Sequence, residues 1–180
     1  MMRRLLPCLC LVLLGASASF AQSQDYPKWD FTVGYTLNNF ETPAPSTRQN
    51  LNGFTLALGG NFRKWAAVEG DVTFTTKTVA GVRRSLATYL IGPRFTKRPG
   101  NSKLQPFVHA LFGGGHLAGF GDATNGWAGK MGGGLDIIAG KHIAVRVFQI
   151  DYYRYHGHLP VTLPKQRLDN AAFTFGIRIF

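Results

Sequence analysis

Apolar and polar residues alternate strictly in short segments from Trp29 to the end of the chain. In the first segment, residues 29–38, the odd-numbered positions are apolar and mostly aromatic. The even-numbered positions are small or polar and begin with Asp30. A period of two places these two sets on opposite faces of a β-strand. A continuous apolar face opposite a face that carries charge is typical of a transmembrane barrel, whose outer surface contacts lipid.

The start of the chain has the composition of a signal peptide. Two arginines precede an apolar run, and small residues follow it before a predicted cleavage site at Ala21/Gln22. The run is too short to span a bilayer. Cys8 and Cys10 both lie within it, so the mature chain is expected to have no disulfide. We therefore predict a signal peptide at residues 1–21 and a single barrel domain at residues 22–180.

Eight alternating segments, separated by turn sequences, predict an all-β fold: an eight-stranded antiparallel up-and-down transmembrane β-barrel. Longer links are predicted after the first, third, fifth and seventh strands, including residues 77–85 and 155–170, and tight turns elsewhere. The seventh segment is internally inconsistent, because Arg146 and Asp151 have opposite parity. Either a β-bulge shifts the phase there or one of the two side chains faces outward.

The two faces of these strands give two sets of candidate residues. The interior of an eight-stranded barrel is only wide enough for side chains, and buried charges must be paired. The inward charges, which have both signs, therefore predict a salt-bridged plug. They are Asp30, Glu69, Asp71, Arg94, Lys130, Asp136 and Arg178. The predicted lipid-facing residues are Trp29, Phe31, Val33, Tyr35, Val72, Phe74, Phe173, Phe175 and Ile177.

The net charge of the chain is +11, and removing Arg3 and Arg4 with the signal peptide leaves +9. Such a balance can indicate nucleic-acid binding, but an exported protein does not meet nucleic acid. Much of the excess lies in predicted turns and loops. The expected partners are therefore outer-membrane lipids and the phosphates of lipopolysaccharide.

Four segments together resemble the small outer-membrane β-barrel family, which includes the transmembrane domain of outer-membrane protein A. The segments are residues 26–35, 89–95, 106–113 and 173–180. The resemblance implies insertion into the bacterial outer membrane by the barrel-assembly machinery, and it carries over no catalytic residue and no cofactor. Members usually end in an aromatic residue in phase with the lipid-facing positions, whereas Phe180 has the parity of Arg178.

Groups that might support metal binding or catalysis are sparse. Two histidines without a third ligand at a set spacing are a weak metal signal, and no Ser–His–acid triad can be assembled from the order of these residues. We therefore predict no catalytic, metal or cofactor site. The residues considered are Ser46, Ser85, His116, Asp122, Asp151, His156 and His158.

The predicted function is that of a non-enzymatic outer-membrane barrel, with a role in envelope structure or in surface interaction through extracellular loops. Two alternatives remain open. One is a narrow channel for ions or small solutes. The other is a periplasmic lipocalin-like carrier, which would turn the aromatic faces inward around an apolar ligand.

Overall fold

The computed structural model describes residues 26–41, 48–79, 81–100, 102–119, 123–157 and 167–180. The predicted signal peptide and its boundary at Ala21, like the candidates Ser46, Asp122 and His158, lie outside these residues. The described chain forms eight strands: β1 (Trp29–Glu41), β2 (Arg48–Asn61), β3 (Ala66–Val79), β4 (Val82–Thr96), β5 (Leu104–Ala118), β6 (Thr124–Ile138), β7 (Ile143–Gly157) and β8 (Arg167–Ile179). It includes no helix long and apolar enough to cross a membrane.

The strands form one closed antiparallel barrel in sequence order, which confirms the predicted fold class. Closure is made by β1 and β8, where Phe31 pairs with Ile179 and Tyr35 pairs with Phe175. Closing the sheet gives every strand a hydrogen-bonded neighbour on both sides, so no strand edge is left unpaired. Alternation then sends one face of each strand into the barrel and the other face out.

The links between consecutive strands lie at the two ends of the barrel, which we call the loop rim and the terminal rim. The loop rim carries the links β1–β2, β3–β4, β5–β6 and β7–β8. The terminal rim carries the start of β1, the end of β8 and the three remaining turns. These three turns include residues 62–65, where the Phe62 and Arg63 amides both donate to the Ala66 carbonyl.

Two predicted links are shorter than expected. Residues 77–85 are not a polar link, because β3 continues to Val79 and β4 begins at Val82. The turn between them includes Gly81 at φ 79°, a left-handed conformation that glycine adopts without steric penalty. The predicted loop 155–170 is likewise shorter at both ends. The sequence pattern did not predict these strand ends, because backbone pairing continues beyond the point where the outward side chains are apolar.

A β-bulge in β7 explains the inconsistent phase of that strand. The pairing with β8 shifts register between Arg146 and Gln149. Val147 and Phe148, although consecutive, both face outward, with exposed fractions of 47% and 46%. The extra residue brings Arg146 and Asp151 to the same side, and both side chains are buried inside the barrel.

Candidate functional site

Nine buried side chains form a closed hydrogen-bonded ring across the barrel interior, nearer the terminal rim. We call it the ionic ring. In order around the ring its members are Asp30, Arg94, Glu69, His109, Asp151, Gln149, Arg146, Asp136 and Arg178, and Arg178 returns to Asp30. Every strand except β2 contributes at least one member. The ring therefore ties seven strands together through their side chains, in addition to the backbone ladder.

The arginines of the ring each bridge two acceptors. Arg94 donates from Nη1 to Glu69 Oε2 at 2.7 Å and from Nη2 to Asp30 Oδ2. Arg178 donates from Nη1 to Asp136 Oδ2 at 3.0 Å and from Nη2 to Asp30 Oδ2 at 3.2 Å. Bridging in this way gives each of these carboxylates at least one charged partner in place of the water lost on folding.

His109 lies between two acidic members of the ionic ring, Glu69 and Asp151. Its Nδ1 lies 2.7 Å from Glu69 Oε1 and its Nε2 lies 2.8 Å from Asp151 Oδ1. An ionised carboxylate only accepts hydrogen bonds, so an imidazole with protons on both nitrogens can donate to both carboxylates. In that form His109 acts as a further buried cation between two acidic groups.

Strand β2 makes room for the ring instead of joining it. An ideal Cβ on Gly59 would lie 2.5 Å from Arg94 Nη2 and 2.7 Å from Asp30 Oδ1. A side chain at this position would therefore displace the guanidinium. Two residues along the same strand, Asn61 donates from Nδ2 to Asp30 Oδ2 at 2.7 Å. The glycine and the asparagine together shape the pocket that holds the Arg94–Asp30 pair.

A second polar layer lies between the ionic ring and the loop rim. Lys130 Nζ lies 2.7 Å from Asp71 Oδ2 and 4.0 Å from Asp151 Oδ2. Hydroxyls continue this layer, because the Thr36 Oγ1 atom lies 2.7 Å from that of Thr55 and 2.9 Å from that of Thr174. The hydroxyl contacts link β8, β1 and β2, and the Lys130–Asp71 pair links β6 and β3.

Large apolar side chains form a layer in the interior near the loop rim, with buried polar side chains such as Asn38 and Asn170 among them. This layer consists of Phe40, Leu51, Leu86, Leu90, Leu111, Leu117, Ala128, Tyr153, Tyr155 and Leu168. The cavity between it and the polar layers has a volume of about 10 Å³ and is lined by residues that include Thr88 and Lys130. That is about the space of one water molecule. This cavity therefore leaves no wide passage between the polar layers and the apolar layer.

The structure buries all seven residues that were predicted to point inward. Five of them are members of the ionic ring, and Asp71 and Lys130 form the pair beside it. Sequence reasoning missed His109 and Gln149. In residues 106–111 both faces of β5 are largely apolar, so alternation gives no phase for His109. Gln149 follows the bulge in β7, so the alternation before the bulge does not predict which way its side chain points.

The predicted lipid-facing residues all lie on the outer surface. Eight of the nine have exposed side chains, and Val72 is half-buried. Aromatic pairs bridge neighbouring strands in this band, with ring centroids 5.5 Å apart for Tyr35 and Phe175 and 5.3 Å apart for Phe54 and Phe74. An apolar surface of this extent requires an apolar environment.

The residues considered for catalysis or metal binding do not come together. Asp151 is buried in the ionic ring, whereas His116 and His156 are on the outer face of the barrel. His116 Nδ1 lies 2.7 Å from Asn125 Oδ1, and the His156 ring stacks on Trp127 at 5.3 Å. Ser85 faces outward on β4. Within the described ranges no group of three or more His, Cys, Asp or Glu is placed to hold a metal ion.

Two residues cap the ionic ring at the terminal rim. Arg98 donates from Nη2 to Asn61 Oδ1 at 2.8 Å, and burial together with the nearby Arg178 and Arg94 lowers its pKa to about 10. The Phe180 ring lies 5.4 Å from the Arg178 guanidinium carbon, a cation–π contact. The out-of-phase position of Phe180 thus turns its ring toward the charged interior.

Comparisons with known proteins agree with this architecture. The family model described as outer membrane protein beta-barrel domain matches residues 8–178. Similar solved structures include Neisserial surface protein A (9% identity, 85% of this chain and 97% of that chain, TM-score 0.66) and Ail, the attachment invasion locus protein of Yersinia pestis (18% identity, 83% and 97%, TM-score 0.50). The outer membrane enzyme PagL is also similar (11% identity, 84% and 99%, TM-score 0.48). A search of curated proteins found no match.

Proposed function

The chain belongs to the outer membrane protein beta-barrel domain family, and from this membership we propose that it is a non-enzymatic scaffold for contacts at the cell surface. Its eight strands cross the outer membrane, with the loop rim outside the cell and the terminal rim in the periplasm. This orientation follows the general arrangement of such barrels, in which the chain links on the outer side are the longer ones.

The observation that carries the proposal is the packed interior. A channel needs a continuous polar path, but here the ionic ring closes the half of the barrel at the terminal rim, and large apolar side chains occupy most of the half at the loop rim. The cavity between them has a volume of only about 10 Å³. The buried charged groups bind one another, so they are not presented to a substrate. This arrangement favours a structural role for the interior and leaves the loop rim for contacts.

The lipocalin-like alternative requires the opposite orientation of the strands' faces. A carrier of an apolar ligand would line its interior with the aromatic stripes. In this barrel Phe31, Tyr35 and Phe175 are exposed on the outside, with exposed fractions between 41% and 49%. The partners of the outer surface are then the lipids of the outer membrane, including lipopolysaccharide, and the barrel-assembly machinery inserts the chain.

Two measurements test the proposal on the purified barrel. Unheated and boiled samples in detergent should migrate differently on a gel, because a closed barrel resists unheated detergent. Reconstitution into planar bilayers should then give no stepwise conductance above that of the lipid alone. A heat-dependent mobility shift together with reproducible conductance steps would contradict the scaffold proposal and support a channel.

A further inference from the structure

The exposed charge at the terminal rim is of a single sign. In the described part of this rim every exposed acidic or basic side chain other than histidine is a cation, and the start of β1 and all three turns contribute. These side chains are Lys28, Arg63, Lys64, Lys97, Lys103 and Lys141. The acidic side chains nearest to them, Asp30 and Asp136, are buried as members of the ionic ring. A surface with this charge attracts polyanions.

The barrel interior does not neutralise this surface. The ionic ring is balanced when His109 has both protons: its cations are Arg94, His109, Arg146 and Arg178, and its carboxylates are Asp30, Glu69, Asp136 and Asp151. Lys130 pairs with Asp71 beside the ring. Arg98, whose side chain is 6% exposed, therefore adds a further positive charge at the end of the barrel.

Arg98 also holds two of the cationic turns together. It lies in the β4–β5 turn, and its Nη1 donates to the Lys64 carbonyl in the β2–β3 turn. The Thr96 amide donates to the Trp65 carbonyl at 2.9 Å and joins the same two turns through their backbones. Lys64 and Lys97 therefore project from neighbouring turns whose positions are fixed in advance, which lowers the cost of ordering them on binding.

These turns extend past the level of the lipid headgroups. In the β2–β3 turn Arg63 and Lys64 are flanked by Phe62 and Trp65, and both aromatic side chains are exposed on the outer surface. Aromatic girdles of this kind mark the two membrane interfaces of a barrel. The cations at the turn tips, and Arg98 over the barrel end, then face the aqueous compartment and not the surrounding lipid.

We propose that the terminal rim binds the glycopeptide of the cell wall through the free carboxylates of its peptide stems. The inference rests on the proposed function, which puts this rim in the periplasm, where that polymer is an extended polyanion. Ammonium and guanidinium groups form charge-assisted hydrogen bonds with carboxylates. Exposed pairs of this kind are individually weak, so binding depends on several cations that contact neighbouring stems at the same time.

Co-sedimentation of the detergent-solubilised barrel with cell-wall sacculi freed of protein tests this surface. The test variant replaces three rim cations, Arg63→Gln/Lys64→Gln/Lys97→Gln. We expect its affinity to fall about tenfold, as the loss of three exposed ion pairs implies. The matched control removes three charges at the loop rim, Arg48→Gln/Lys77→Gln/Arg83→Gln, and should sediment as the wild type does. Sacculi whose carboxylates have been amidated should no longer bind the wild-type barrel.

Equal affinity in the test variant, the control and the wild type would overturn the proposal, as would undiminished binding of the wild type to amidated sacculi. Detergent micelles that contain phosphatidylglycerol should not release the barrel from sacculi. Release would overturn the assignment to the cell wall in favour of phospholipid headgroups. A heat-dependent mobility shift in each variant keeps folding separate from binding. Because that shift and the conductance test do not involve sacculi, failure of this surface and failure of the scaffold proposal give different results.

Discussion

Arg94→Met should destabilise the barrel by about 3–4 kcal/mol, within the range found when one partner of a buried ion pair is removed. The Arg94 side chain is 1% exposed and bridges Asp30 and Glu69. Asp30 keeps Arg178 and the Asn61 amide, so the loss falls mainly on Glu69. That carboxylate retains only His109 among the partners described above, and water cannot reach it.

The assay is equilibrium urea unfolding in lipid vesicles, followed by tryptophan fluorescence and by gel mobility. With slopes of about 1–3 kcal/mol/M, the expected loss lowers the midpoint by about 1 M or more. Arg98→Met is the comparison variant. Its guanidinium donates to the neutral oxygens of Asn61 and Lys64 and reaches Asp30 Oδ2 only at 4.0 Å. Because Asp30 keeps Arg94 and Arg178, removing Arg98 should cost only about 1–2 kcal/mol.

A double variant separates the ion pair from simple packing. In Glu69→Gln/Arg94→Met the orphaned carboxylate is gone, so the combined loss should fall short of the sum of the single losses by about 0.5–3 kcal/mol. Strict additivity, or an Arg94→Met loss no larger than that of Arg98→Met, would refute the reasoning that the ionic ring is a coupled unit.

Four further substitutions test other parts of the barrel by the same unfolding measurement. Phe175→Arg and Val72→Arg should each cost about 2–4 kcal/mol if the two positions lie near the bilayer midplane, and near-neutral results at both would remove the lipid-facing assignment. Thr36→Val removes a hydroxyl with two hydroxyl neighbours and should cost about 1–2 kcal/mol; no loss would mean that these contacts do not stabilise the interior. Gly59→Val should reproduce most of the Arg94→Met loss, about 3 kcal/mol, because its side chain displaces the guanidinium, and a wild-type midpoint would contradict the packing described for the ring.

The alternation of apolar and polar residues was sufficient to predict the barrel and its strand number. Alternation is a local property, set by the two-residue period of a strand, so it survives without knowledge of the partner strands. It also assigned Asp30, Glu69 and Arg94 to the interior, because an inward position depends only on parity within one strand. Where parity failed, at the bulge after Arg146, the sequence offered two alternatives and only the register chose between them.

The pairing of those inward charges required the tertiary structure. Glu69 and Asp151 are far apart in the sequence, and His109 joins them only because strand order and register bring β3, β5 and β7 to one level. Likewise Gly59, an ordinary strand glycine in sequence, acquires a role from Arg94 lying against it. The sequence by itself thus determined which face of each strand is polar, since that follows from local geometry. Barrel closure decided which polar groups meet, because the contacts depend on the stagger between strands.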